Sequence, residues 1–251
     1  MESIMGDMRD QQAVVLAGGA GTRLRPVISA VPKPMADIAG KPFLAYLLHY
    51  IRQTGIRRVV LSVGYLHEQI EQVFGNRYAG MDLIYAVEQT PLGTGGALAF
   101  AMGHVTSPHV LVCNGDTFFQ ADIARLYMAH CTEKQILTMA LKPMEQISRY
   151  GTVTLDGTHI VRFNARQDVP KGLINGGVYW IDRPAFAAAV RLLNVHPPFS
   201  LEQDVLARLP EKTMTGIPDN GYFIDIGIPE DYATAIGQLP QLAVFKSFIK
   251  S

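Results

Sequence analysis

A glycine-rich turn followed by two fixed cations is the chemically richest part of this chain. The turn reads Leu16-Ala17-Gly18-Gly19-Ala20-Gly21-Thr22-Arg23-Leu24, and Pro32-Lys33-Pro34 comes soon after it. Glycine permits positive φ and close approach to the main chain, so successive N–H groups can converge on an anion. Arg23 adds a planar fork of donors that suits phosphate oxygens. Lys33 lies between two prolines, which predicts an extended segment that aims its ammonium stiffly. Either feature alone reads as well as a tight turn or a solvated loop charge. Together they point to a site that holds a nucleoside triphosphate by its phosphates, with Arg23 and Lys33 as its catalytic cations. Two other phosphate loops are excluded, because Leu24 stands where a dinucleotide fingerprint needs its third glycine and no Gly-Lys-Ser/Thr tripeptide occurs.

Two aspartates follow apolar runs. Val110-Leu111-Val112-Cys113 passes into Asn114-Gly115-Asp116, and Tyr222-Phe223-Ile224 passes into Asp225 and Gly227. Each carboxylate therefore stands at a strand end, and Mg²⁺ at a phosphate site takes one or two carboxylates plus substrate oxygens and water. Asp beside Gly is more commonly a turn or cap residue, so this reading leans on the phosphate loop. The segment Glu88-Gln89-Thr90-Pro91-Leu92-Gly93-Thr94-Gly95-Gly96-Ala97 is another strand end followed by glycines. Its backbone could meet a flat base, with Gln89 supplying an amide edge, or could simply turn the chain and start a helix at Thr94. Pattern alone does not separate these.

The elements that must position these groups alternate between strand and helix. Residues 13–16, 59–63, 83–87, 110–113 and 136–141 are apolar runs of strand length, and 43–53, 68–74 and 122–130 carry helical spacing, with a small helix after Gly95-Gly96. Such alternation predicts an α/β fold with a Rossmann-like, mostly parallel sheet flanked by helices and a ligand at the strands' carboxyl ends. The second half changes character: residues 152–155 and 159–163 flank Asp156-Gly157-Thr158, a hairpin signal, and 174–181 is a further strand. Helices at 184–193, 201–209 and 229–237 surround a strand at 222–224. The expectation is a smaller, hairpin-containing acceptor-side subregion rather than a second domain: residues 1–12 form a flexible segment and 13–251 one domain.

Composition sets the outer limits. With 251 residues and 48% hydrophobic content the chain can bury a full core without disulfides. Its 22 basic and 22 acidic residues cancel, so neither nucleic acid nor an anionic membrane is expected as a partner. Cys113 and Cys131, the two cysteines, read as reduced core residues. No apolar stretch approaches a membrane span and residues 1–12 lack a signal peptide's apolar region, which predicts a cytoplasmic protein.

The first motif, the Pro91-Leu92-Gly93-Thr94-Gly95-Gly96 loop, Asn114-Gly115-Asp116 and Phe223-Ile224-Asp225-Ile226-Gly227 together resemble the sugar-1-phosphate nucleotidylyltransferases. The resemblance runs from about Ala13 to about Ala235. Within that family the short length, the Pro-Leu-Gly-Thr-Gly-Gly loop and Phe199-Ser200-Leu201-Glu202-Gln203-Asp204 resemble the D-glycero-D-manno-heptose 1-phosphate guanylyltransferases; thymidylyl- and uridylyltransferases are the alternatives, and a silent nucleotide-sugar-binding regulator the non-enzymatic one. The resemblance implies in-line attack of a sugar 1-phosphate on the α-phosphorus of an NTP, GTP by preference. It assigns phosphate neutralisation to Arg23 and Lys33 and Mg²⁺ to Asp116 and Asp225. Leu16, Ala17, Gly18, Gly19, Gly21, Thr22, Gln89, Gly93 and Thr94 would hold the nucleotide, and Tyr150, Gly151, Asn175 and Glu202 the sugar. Ala165, before Arg166, replaces an acid that relatives usually carry, which unsettles the borrowed sugar contacts. No hexapeptide repeat follows Gly237, so no second, acetyl-transferring activity is expected; a homo-oligomer is compatible with the sequence.

Overall fold

Ala13, Val14 and Val15 are all fully buried, yet they face two different layers. Side chains alternate along a strand, so Ala13 and Val15 join one apolar cluster while Val14 joins the other. The strand that carries them, β1 (Gln12–Leu16), is hydrogen-bonded along both edges as well. The computed structural model describes residues 7–19, 24, 31–147, 150–164 and 169–249. After β1 come β2 (Asp37–Ile38), β3 (Lys41–Pro42), β4 (Arg58–Val63), β5 (Arg77–Tyr78), β6 (Met81–Val87), β7 (His109–Asn114) and β8 (Thr117–Phe119). Helices α1 (Phe43–Gln53), α2 (His67–Phe74), α3 (Gly93–Met102) and α4 (Ile123–Glu133) intervene. The second half adds β9 (Leu137–Ile147), β10 (Thr152–Asp156), β11 (His159–Asn164), β12 (Val169–Asp182), α5 (Arg183–Leu193), β13 (Met214–Pro218), β14 (Phe223–Asp225), α6 (Pro229–Gln238) and α7 (Lys246–Ile249).

Ten strands form one sheet in the order β10-β11-β13-β9-β12-β7-β1-β4-β6-β5. The strands β7, β1, β4 and β6 run parallel, as the alternation of elements predicts. Beyond β7 the sheet is mixed: β12 lies antiparallel to both β7 and β9, and β9 is parallel to β13. The β10–β11 hairpin turns at Gly157, whose φ is +59°. The acceptor-side subregion is therefore an extension of the same sheet. One layer packs α1 and α4 on the sheet through Leu44, Leu48, Leu126 and Tyr127; the other packs α3 and α5 through Leu98, Ala101 and Phe186.

Three expectations are corrected. Of the segment expected to be flexible, residues 1–6 lie outside the described residues, whereas Met8, Gln11 and Gln12 are buried; Met8 is 1% exposed, the Tyr127 hydroxyl donates to Asp7 Oδ2 at 2.7 Å, and Gln12 Oε1 accepts from Thr106 N at 2.6 Å. The helix expected at 201–209 is a π-turn, Leu201–Val205, followed by a 3₁₀ turn, Leu206–Arg208. The wider turn lets Leu201, Val205 and Leu206 all reach the core. The helix α3 begins at Gly93, ahead of the glycine pair that was expected to precede it. Cys113 and Cys131 are free, and burial pushes the Cys113 thiol up to about 12, as suits an inert core residue. No helix among the described residues is long and apolar enough to cross a membrane.

A buried imidazole ties β7, α4 and β9 together. His130 is 2% exposed, with Nε2 3.2 Å from His109 Nδ1 and Nδ1 3.2 Å from Thr138 Oγ1. Burial first, and the neighbouring His109 second, push its pKa down from 6.5 to about 4. The unfolded chain thus takes up a proton as pH falls below 6.5 while the folded chain does not. The stability this residue contributes is present above pH 6.5 and is lost on the way down to pH 4, by roughly 3 kcal/mol at most. His130→Gln is expected to flatten the fall in melting temperature across that window. Equal pH slopes in the two proteins would remove His130 from the account.

Candidate active site

Four parallel strands end side by side, and their carboxyl ends open a cavity of about 590 Å³. β1 delivers Leu16, Ala17, Gly18 and Gly19 to it, β4 delivers Gly64 and Tyr65, β6 delivers Glu88 and Gln89, and β7 delivers Asn114, Gly115 and Asp116. Lys33, Pro34, Gly93 and Thr94 complete much of the wall. The crevice outside the carboxyl ends is where an open α/β sheet binds ligands. Gly115 permits the crossing of two of these loops. A Cβ there would stand 2.6 Å from the Leu16 carbonyl oxygen, whereas the Gly115 N–H donates to that oxygen at 2.9 Å.

The charged centre is a lysine between two carboxylates. Lys33 is 8% exposed and starts a 3₁₀ turn, Lys33–Met35, instead of the extended segment expected from its flanking prolines. Its Nζ lies 2.7 Å from Asp116 Oδ2 and 3.8 Å from Asp225 Oδ1. The two aspartates meet because β8 and β14 pair antiparallel, with Asp225 opposite Thr117, and the Ile226 N–H donates to the Asp116 carbonyl oxygen at 3.0 Å. Asp225 Oδ1 also accepts from Gly227 N at 2.7 Å, which fixes the carboxylate's direction. Two hard oxygen donors thus converge on one cationic point, a donor set that fits a divalent cation sharing its other positions with phosphate and water. Groups of three or more His, Cys, Asp or Glu side chains that could hold a metal do not occur among the described residues.

The glycine loop at the start of α3 serves packing as much as binding. Gly95 and Gly96 donate their N–H groups to the Phe199 carbonyl oxygen at 3.0 and 3.4 Å, and a Cβ on Gly95 would strike the Phe199 ring at 2.5 Å. Gly93, with φ +73°, remains at the cavity wall. The Thr94 hydroxyl is engaged twice: it donates to Glu202 Oε2 at 3.1 Å and accepts from Leu201 N at 2.8 Å. Ser200 Oγ lies 3.1 Å from the same Glu202 oxygen. Glu202 therefore bridges the loop to the acceptor-side turn.

The remaining acceptor-side candidates stand outside the cavity wall. Asn175 donates to the Tyr179 hydroxyl at 2.7 Å and accepts from Gly177 N at 2.9 Å, so its amide is held at both ends. Burial, and then the negative charge of Glu202, raise the Tyr179 pKa well above its ordinary value. Tyr150 meets Phe223 edge-on, with ring centroids 6.1 Å apart, and a Cβ on Gly151 would stand 2.7 Å from the Asn164 carbonyl oxygen. Gly21, Thr22, Arg23, Ala165 and Arg166 lie outside the described residues. Glu88 and Tyr65 are cavity residues that the motifs did not single out. The position of each at the end of a parallel strand was the available signal.

Comparison with known proteins agrees with this geometry. Residues 12–241 match the family described as Nucleotidyl transferase. The chain is 44% identical to the D-glycero-alpha-D-manno-heptose 1-phosphate guanylyltransferase of Aneurinibacillus thermoaerophilus, over 91% of this chain and 98% of that protein. It is 37% identical to the protein of the same description from Campylobacter jejuni, over 88% and 96%. The crystal structure of HddC from Yersinia pseudotuberculosis complexed with GMP-PN superposes with a TM-score of 0.79 at 32% identity, covering 91% of this chain and 99% of that one. A strand-end cavity, a lysine set between two carboxylates and a match spanning nearly the whole chain lead to one conclusion: this chain is an enzyme and belongs to the nucleotidyl transferase family.

Proposed function

We propose that the chain transfers the guanylyl group of GTP to D-glycero-α-D-manno-heptose 1-phosphate, forming the GDP-sugar and pyrophosphate. The observation that carries this reading is the 44% identity to a guanylyltransferase of that description across almost the full length of both chains. A phosphate oxygen of the sugar 1-phosphate attacks the α-phosphorus of GTP. The bond from that phosphorus to the bridging oxygen breaks on the opposite side, and pyrophosphate leaves without a covalent enzyme intermediate. Such chemistry asks a protein for positioning and charge stabilisation. The main chain of Leu16, Ala17, Gly18, Gly19, Gly21 and Thr22 cradles phosphate, while Lys33 and Arg23 neutralise the charge that develops. Asp116 and Asp225 would hold Mg²⁺, which when bound would withdraw charge from phosphate oxygens. Gln89, Gly93 and Thr94 belong to the nucleotide side, and Tyr150, Gly151, Asn175 and Glu202 to the acceptor side. Both substrates are highly charged small molecules, and the cytoplasm is the compartment we assign to the reaction.

A substrate panel tests the reading. Pyrophosphate release from GTP with the heptose 1-phosphate is expected to exceed that from ATP, CTP, UTP or dTTP by at least about tenfold, the effect of one or two unpaired buried polar groups. Equal or better use of UTP or dTTP with a hexose 1-phosphate would overturn it. Lys33→Ala should lower turnover by about 100-fold or more, comparable to loss of one preorganised charge-stabilising donor. Its melting temperature should fall by no more than about 4 °C, because Asp116 is 41% exposed and water takes over its solvation. A variant that loses stability but not turnover would make Lys33 structural. Asp225→Asn keeps an acceptor for the Gly227 N–H and removes the charge. It should raise the magnesium concentration for half-maximal rate by about tenfold or more, and an unchanged magnesium dependence would remove Asp225 from the metal site.

A further inference from the structure

Lys33 and Asp225 reach each other from opposite ends of the chain, and a hydroxyl outside the cavity wall bears on how they meet. The Lys33–Met35 turn is held by its own main chain, Met35 N donating to the Pro32 carbonyl oxygen at 2.7 Å and Ala36 N to that of Lys33 at 3.0 Å. It runs straight into the β2–β3 hairpin, whose turn is closed by Asp37 Oδ1 accepting from Gly40 N at 2.7 Å. Two tyrosines grip successive carbonyls of β2. The Tyr46 hydroxyl, from α1, donates to the Ile38 carbonyl oxygen at 2.9 Å, and the Tyr232 hydroxyl, from α6, donates to that of Asp37 at 2.8 Å. Tyr46 is fully buried and Tyr232 is 8% exposed.

The two ties do different work. α1 follows β3 directly in the chain, so Tyr46 closes a local loop from the hairpin onto the helix that leaves it. α6 follows Asp225: β14 ends at that residue, and Pro229 starts the helix that carries Tyr232 one turn along. The Tyr232 bond therefore joins the segment that carries the lysine to the segment that carries the carboxylate. Asp225 is already registered to Asp116 through the Ile226 N–H. Lysine has no such rigidity of its own, since an ammonium on a flexible four-carbon stem points where its backbone is set. Its 3.8 Å contact with Asp225 is partly exposed and screened by salt, whereas a bond from a neutral hydroxyl to a carbonyl is not.

We infer that Tyr232 is a positioning residue: through the Asp37 carbonyl its hydroxyl fixes the spacing between the Lys33 turn and the Asp225 strand end, and so aims the ammonium at the reacting phosphate. This rests on the guanylyl-transfer reading only for the role that reading gives Lys33. Tyr232 is not among the residues that line the cavity, so its effect on the reaction passes through the lysine.

The test is a double-mutant cycle in turnover, read as pyrophosphate release at saturating magnesium with the nucleotide and sugar phosphate that the substrate panel selects. Tyr232→Phe keeps the ring and removes only the hydroxyl. It should lower kcat about tenfold and leave KM for the nucleotide within about twofold, since misplacing a charge-stabilising group is felt in the transition state. In the Lys33→Ala background the same substitution should change kcat less than about twofold, because no ammonium is left to aim. Tyr46→Phe is the matched control. It strips the hydroxyl from the neighbouring carbonyl, should lower the melting temperature at least as much, and should leave kcat within about twofold of wild type. Unchanged kcat in Tyr232→Phe, a loss that persists in full without Lys33, or an equal loss in Tyr46→Phe would overturn the proposal and leave the guanylyl reading intact. If Tyr232→Phe does not fold, the hydroxyl is structural and the proposal fails. Normal turnover by Lys33→Ala would end the role given to Lys33 and the proposal with it. Preference for UTP or dTTP in the panel, with the cycle still non-additive, would overturn the guanylyl reading alone.

Discussion

β1 is enclosed on all four sides, and that enclosure decides where the chemistry can stand. Its two edges are hydrogen-bonded to β4 and β7, and its two faces bury Ala13, Val14 and Val15 in separate layers. A strand so enclosed cannot shift by one residue without exchanging every side chain between layers. The register with β7 brings Leu16 opposite Asn114, so the loops after both strands start at the same level. The hydrogen bond from Gly115 to Leu16 then locks one loop over the other. Asp116 is therefore placed by the sheet, and Lys33 and Asp225 gather around it.

The charge layout follows from that placement. At one end a buried ammonium sits between two partly exposed carboxylates, so negative charge outnumbers positive there. The Glu88 carboxylate, held by an amide and a hydroxyl, lies against Gly18. Between them lie glycines, which bring main-chain donors to the wall without side-chain charge.

The parallel half of the fold was legible in the sequence because its strands are buried on both faces and read as unbroken apolar runs. The helix at 43–53 and the β10–β11 hairpin were legible for equally local reasons, amphipathic spacing in one case and Asp156-Gly157-Thr158 in the other. β8 and β13 were not. Thr117-Phe118-Phe119 is too short to show a period, and its partner β14 lies about a hundred residues later. β13 is paired parallel to β9 and antiparallel to β11, a placement set by tertiary contact. Within the site, the motifs carried Leu16 through Gly19, Lys33, Gly93 and Asp116 to the cavity wall. Glu88 escaped them because a lone acid at a strand end has no spacing signature. Gly95 and Gly96 stand in a segment that pattern alone left open between meeting a base and starting a helix, and they accommodate Phe199.

The continuity of the ten-stranded sheet has a mechanical consequence. The strands that end at the cavity and those that carry the acceptor side are joined by hydrogen-bonded ladders from β6 through β7 and β12 to β9, with one register shift between Asn175 and Tyr179. Among the described residues the two halves share one sheet, so moving one against the other would bend or break backbone ladders. The sheet is thus a common base for the cavity and the acceptor side, and strain applied at one is carried to the other through main-chain hydrogen bonds.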